Sequence, residues 1–182
     1  MRAVWRWTGV AIALIVIGLC WLGISVWKEF RPYHWQVVES PDAHFRISFP
    51  GSFKASQETN TAVDGSAFLS NRLTSSPAQG VIYAVSWWEN PAQESKSTEE
   101  LFANFRGCDI KTFHGTVISE KVTDVQGYPA MDVALAGNGF VVRNRMIRVG
   151  PRLYSQVVMG PLGRLHGGDV QKFFDSFTLR QM

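Results

Sequence analysis

Hydrophobic and polar positions follow three regimes along the 182 residues. From 7 to 27 the chain reads WTGVAIALIVIGLCWLGISVW, 21 residues without a charge, bounded by Arg6 and Lys28. As a helix, at about 1.5 Å per residue, the stretch would reach about 31 Å, close to the roughly 30 Å hydrocarbon core of a bilayer. Arg31-Pro32 ends that helix, because the residue before proline is pushed out of the α region. Tyr33 and Trp35 then read as headgroup-level anchors on a short linker.

A period of two takes over from residue 45. Phe45, Ile47 and Phe49 alternate with Arg46 and Ser48 and stop at Pro50-Gly51, which predicts a half-buried strand. Residues 57–64 read as a polar loop, and Ala67, Leu69 and Leu73 as a second strand. Residues 81–88 are apolar on both faces, the mark of a central strand covered on each side. Further strands are predicted at 117–125, 131–135, Phe140–Val149 and 153–159, with a hairpin at Gly137-Asn138-Gly139, whose residues accept the positive φ of a primed turn. The helical period appears twice. Ser97-Thr98-Glu99-Glu100 forms a capping box ahead of Leu101, Phe102 and Phe105, with Gly107 read as the C-cap. Asp169 caps a stretch from 170 to 177 that carries Phe173, Phe174 and Phe177. The order β-β-β-α-β-β-β-β-α predicts an α+β fold, a mainly antiparallel seven-stranded sheet with helices packed on it.

Residues 1–35 are therefore expected to be a membrane anchor with its flank, and 36–182 one domain of ordinary size. A cleaved signal peptide is the competing reading, since Arg2 and Arg6 make an n-region and Gly23 and Ser25 are small enough to precede a cut. The apolar run exceeds the usual h-region, and Trp21 and Trp27 flank the cut, so an uncleaved single-pass anchor is expected. Arg2, Arg6 and the short N-terminal tail favour a cytoplasmic N-terminus and an extracytoplasmic, periplasmic domain.

Charge and cysteine content narrow the function. The chain holds 18 basic and 15 acidic residues, and Arg2, Arg6, Lys28 and Arg31 against Glu29 account for the whole excess. The domain is formally neutral, which gives no electrostatic footprint for nucleic acid. Cys20 lies in the apolar stretch and Cys108 in the domain, so no disulfide within the domain is expected.

Four segments, FRISFPGSF, GYPAMDV, RLYSQVVMGP and FFDSFTL, together resemble the PsbP-like α/β/α sandwich superfamily. That superfamily includes the photosystem II extrinsic subunit and a Ran-binding nuclear transport factor. The resemblance spans roughly residues 40 to 180 and is carried by Phe49-Pro50, Gly127-Tyr128-Pro129 and Phe174-Asp175-Ser176-Phe177. The anchored form is similar to membrane-anchored bacterial members of the superfamily. The resemblance implies a non-enzymatic protein that works by docking to a protein partner.

Candidate chemistry is sparse. Cys108 with His114 is the nearest approach to a nucleophile and base, yet a pair needs hydrogen-bond reach and an orienting third group. His34, His44, His114 and His166 lack the companions of a metal motif, and no cofactor is expected. The glycines from 163 to 168 lack a P-loop Lys-Ser/Thr, and Glu120, Asp124 and Asp132 carry no catalytic signature. The candidate site is Arg143, Arg145, Arg148 and Arg152, a run with no acid between Asp132 and Asp169. Arg143 and Arg145 share a strand face, which suits a carboxylate, a phosphate or anionic lipid, and salt bridges to neighbouring strands are the competing use. The expected function is a membrane-anchored, extracytoplasmic protein-interaction module, an accessory or assembly factor of an envelope complex. The alternatives are a binder of a small anionic ligand or lipid headgroup, in a cavity beside the arginine strand, and a Cys108/His114 hydrolase.

Overall fold

The computed structural model describes residues 33–40, 42–61, 67–78, 80–89, 94–165 and 167–180. The apolar stretch from 7 to 27, and with it the expected anchor, lies outside the described residues. Among the described residues no helix is long and apolar enough to cross a membrane.

Among the described residues, ten strands and two helices follow one another as β1 (Trp35–Ser40), β2 (Phe45–Pro50), β3 (Phe53–Thr61), β4 (Ala67–Ala78), β5 (Val81–Glu89), α1 (Thr98–Phe113), β6 (Thr116–Val125), β7 (Tyr128–Gly137), β8 (Phe140–Val149), β9 (Arg152–Pro161), α2 (Gly167–Asp175) and β10 (Thr178–Leu179). A seven-stranded sheet runs β3-β4-β5-β9-β8-β7-β6, and a three-stranded sheet runs β1-β2-β10. All the pairings are antiparallel. After β5 the chain crosses through α1 to the far edge, and β6 to β9 meander back to close against β5.

The large sheet has seven strands, but not the seven that alternation predicts. Phe45–Pro50 belongs to the small sheet, and the supposed polar loop is the outer half of β3, a nine-residue edge strand. An edge strand exposed on its faces needs no apolar alternation, which is why residues 57–61 read as loop. β1 is a further addition. Trp35 sits in this strand, its ring edge-on to Tyr83 at 6.4 Å and beneath Lys172 Nζ at 4.4 Å.

Two cores lie on the two faces of the large sheet. On one, β2, α2 and the turn after α2 bring Phe45, Phe49, Phe173 and Phe177 against Tyr83 and Tyr154. On the other, Leu101 and Phe102 of α1 pack on Met131, Leu135, Val142 and Met146. The two-faced pattern of 81–88 is realised accordingly, with Tyr83 and Val85 in the first core and Trp88 in the second.

Local signals explain the joints. Both halves of the Ser97/Glu100 capping box form. Asn138 and Gly139 take φ of 52° and 78°, the primed turn that locks β7 to β8. The expected stop at Gly107 is wrong. The helix runs on to Phe113 and ends at His114 in the left-handed region. A glycine inside a helix costs about 1 kcal/mol, and packing of Phe105 and Phe113 against the second core outweighs it. The closing helix likewise starts earlier than expected, so Asp169 stands in its first turn.

Candidate functional site

The hairpin turn at Asn138-Gly139 sets the register of β7 on β8, and Asp132 falls opposite Arg145. Arg145 donates through Nε and Nη2 to the two oxygens of Asp132 at 2.7 and 2.8 Å, and its guanidinium lies 5.1 Å from the centre of the Phe174 ring. The Asp132 bond raises the arginine's pKa further. Arg152 bonds Glu89 Oε1 through Nε at 2.8 Å, across the β5–β9 pair. Arg148 points to the opposite face from Arg145, where Nη1 donates to Lys96 O at 2.8 Å and Thr98 Oγ1 at 3.2 Å and so ties down the entrance to α1. The four arginines therefore do not assemble into one patch. Arg143 shares the face of Arg145, is exposed, and makes no hydrogen bond or ion pair among the described residues.

The remaining residues singled out in the sequence are dispersed. Glu120 accepts both bonds of Arg106 Nη1, at 3.0 and 2.9 Å, and Asp124 Oδ1 accepts from the Gly127 amide at 2.8 Å. Cys108 lies on α1 with its side chain exposed, and His114 is the left-handed cap beyond the helix. No hydrogen bond joins the two among the described residues. His166 lies outside the described residues. Among the described residues, no three His, Cys, Asp or Glu side chains cluster as metal ligands.

A place that sequence reasoning missed is a cleft of about 450 Å³ on the α1 face of the sheet, bordered by β4, β5, β8 and β9. It arises because α1 packs on β7 and β8, leaving β4, β5 and β9 to present small or polar side chains, Ser70, Ala84, Ser86 and Ser155 among them. Phe68, Trp88 and Phe105 form an aromatic wall, with Trp88 centred 6.2 Å from Phe68 and 5.4 Å from Phe105.

A chain of hydrogen bonds borders the same cleft. Ser155 Oγ donates to Asn144 Oδ1 at 2.9 Å, and Asn144 Nδ2 donates to Asp109 Oδ2 at 2.7 Å. Ser155 and Asn144 are both buried. Burial raises the Asp109 pKa, against the opposing pull of the Asn144 bond. At the open side, Arg72 Nε donates to Ser86 Oγ at 3.0 Å. The signal for this site was present in the chain. Phe105, Asp109 and Thr112 recur at helical spacing, and Asn144 and Ser155 are polar positions on strand faces otherwise lined by Val142, Met146, Leu153 and Val157. Stopping the helix at Gly107 hid it.

The sheet also has two unlike edges. β3 presents Lys54, Gln57, Glu58 and Asn60, whereas β6 presents Ile118 and Val122 at 59% and 71% exposure.

No family model matches the chain, and no curated protein matches it. Solved structures do. The solution structure of cyanobacterial PsbP (CyanoP) from Synechocystis sp. PCC 6803 aligns with a TM-score of 0.56 at 9% identity, covering 82% of this chain and 95% of that one. The protein of unknown function PA94 from Pseudomonas aeruginosa aligns at 0.48 with 13% identity, over 82% of this chain and 99% of its own. A structure from Bacteroides thetaiotaomicron gives 0.47 at 12% identity, over 80% of this chain and 48% of that one. At 9% identity the likeness to the cyanobacterial structure is one of fold.

Proposed function

From the premise that this chain has a PsbP-like fold, we propose that it is a membrane-tethered module displayed outside the cytoplasm, which recognises another protein through the edge strand β6. The accessory or assembly role at an envelope complex is part of this reading.

The observation that carries it is the contrast between the sheet's edges. An edge strand offers a row of unpaired backbone groups, and proteins ordinarily guard such rows with charge, bulges or cover. Beyond Phe53, which packs on the first core, β3 carries polar side chains at every position but Ala55. β6 is guarded only in part, by Glu120, Lys121, Asp124 and the bulge between Val117 and Ser119, and exposes Ile118 and Val122. Ile110 of α1, one helical turn beyond the Arg106 that holds Glu120, adds a third exposed apolar side chain. That pattern suits strand addition, in which backbone bonds supply affinity and alternate apolar side chains supply specificity.

The tether rests on the 21 uncharged residues from 7 to 27, which fit a bilayer's hydrocarbon thickness. The placement outside rests on Arg2 and Arg6 ahead of them. The test is co-purification of the full chain, solubilised from membranes in mild detergent, with and without the paired change Ile118→Lys and Val122→Lys. The reading expects a stoichiometric protein to be lost from the variant while its melting temperature stays that of the unaltered chain. Retention of that protein by the variant would reject β6 as the surface.

A further inference from the structure

Independently of β6, we propose that the cleft between α1 and strands β4, β5 and β9 binds a small organic cation, an ammonium with an apolar body, seated between Asp109 and the aromatic wall of Trp88, Phe105 and Phe68.

The dimensions come first. About 450 Å³ falls within the roughly 300–1,000 Å³ range of small-molecule sites. Mostly apolar walls with a few placed polar groups are also the usual composition of such sites.

The charge follows from the hydrogen bonds. Ser155 donating to Asn144 Oδ1 fixes the amide so that Nδ2 faces Asp109. That bond takes Oδ2 alone, and Oδ1 has no partner among the described residues. An ionised carboxylate only accepts hydrogen bonds, so the free oxygen calls for a donor. Half-burial beside Phe105 and Phe113 disfavours its charge, as the upward pKa shift reflects. A bound cation would offset that cost.

The wall selects in the same direction. Aromatic faces attract ammonium groups within about 6 Å of a ring centre, and indole attracts them best. The other charged group lining the cleft is Arg72, and Cys108 is the remaining titratable one. Arg72 is exposed and its Nε is held on Ser86. A charge at a solvated rim affects encounter more than residence, so the half-buried carboxylate sets the preference.

Three probes of one shape test this on the detergent-solubilised full chain, with binding read by calorimetry: phenethylammonium, 2-phenylethanol and phenylacetate. Phenethylammonium is expected to bind at least about ten-fold more tightly than the alcohol, the factor that 1.4 kcal/mol represents. Asp109→Asn should abolish that preference while raising the melting temperature at neutral pH, which shows that the preference is lost with the carboxylate and not with the fold. Arg72→Gln should leave the preference in place. Equal binding of all three probes would overturn the proposal. So would phenylacetate binding tightest with its advantage lost in Arg72→Gln, or no saturable binding of phenethylammonium up to about 10 mM, which is no useful affinity. None of these outcomes bears on β6, whose variants leave the cleft untouched.

Discussion

Replacing Arg145 by alanine separates the fold from the surface more sharply than any other change in the arginine strand. Its side chain is 17% exposed and makes a two-pronged pair with Asp132, itself 37% exposed, while its guanidinium lies 5.1 Å from the Phe174 ring centre. Charged hydrogen bonds contribute about 1.5–3 kcal/mol, toward the low end here because solvent reaches Asp132. The ring contact adds about 0.5–1 kcal/mol. Arg145→Ala should therefore cost about 2–4 kcal/mol, or roughly 5–15 °C in melting temperature for a domain of this size. Arg143→Ala, on the same face without a partner, should stay within about 0.5 kcal/mol. The assay is thermal and urea unfolding of both variants, completed by a double-mutant cycle of Arg145→Ala with Asp132→Ala. A coupling of about 1 kcal/mol or more is expected, because the two residues touch. Equal, negligible losses for Arg143 and Arg145 would refute the reasoning and return Arg145 to the candidate binding residues.

Other predictions follow from single positions. A Cβ at Gly137 would meet His114 O at 2.8 Å and Gly115 Cα at 2.9 Å, whereas one at Gly107 would meet nothing within 4 Å. Gly137→Ala should thus cost about 1–3 kcal/mol and Gly107→Ala should gain about 1 kcal/mol, both read from urea midpoints. Gln156 is fully buried and neither amide atom finds a partner among the described residues. Gln156→Met should raise stability by about 1–3 kcal/mol. Asp109, whose folded pKa is raised, holds its proton more tightly folded than unfolded, so stability should fall as pH rises from the ordinary carboxylate range through the folded pKa. Melting temperatures of the unaltered chain and Asp109→Asn should accordingly converge in acid and separate toward neutrality, with the variant higher. The full chain should also stay in the membrane fraction through alkaline carbonate washing, and release of a soluble form starting near residue 26 would identify a cleaved signal instead.

Much of the fold was legible because its strands bury one or both faces. The alternation at Phe45, Ile47 and Phe49 and the two-faced run from 81 to 88 each mark a strand whose side chains now lie in a core. β3 was not legible, because an exposed edge imposes no apolar period. β1 was missed for a different reason. A tryptophan just past an apolar stretch suits a lipid headgroup layer as well as it suits a core, and only its packing on Tyr83 decides. The Arg145 pair could have been read in advance, since a two-residue turn at 138–139 puts 132 opposite 145. The cleft was legible only in part: Asn144, Ser155 and the helical spacing of Phe105, Asp109 and Thr112 mark its lining, but no local pattern encodes which half of the sheet α1 covers.

The interaction surface is tested most directly by placing a photo-activated crosslinking residue at Val122, in the full chain in its own membranes, beside a control at Lys54 on the opposite edge. Strand addition at β6 predicts one discrete protein adduct from position 122, lost when Ile118→Lys is added, and none from position 54. An adduct at Lys54 of equal yield, or none at Val122, would contradict it.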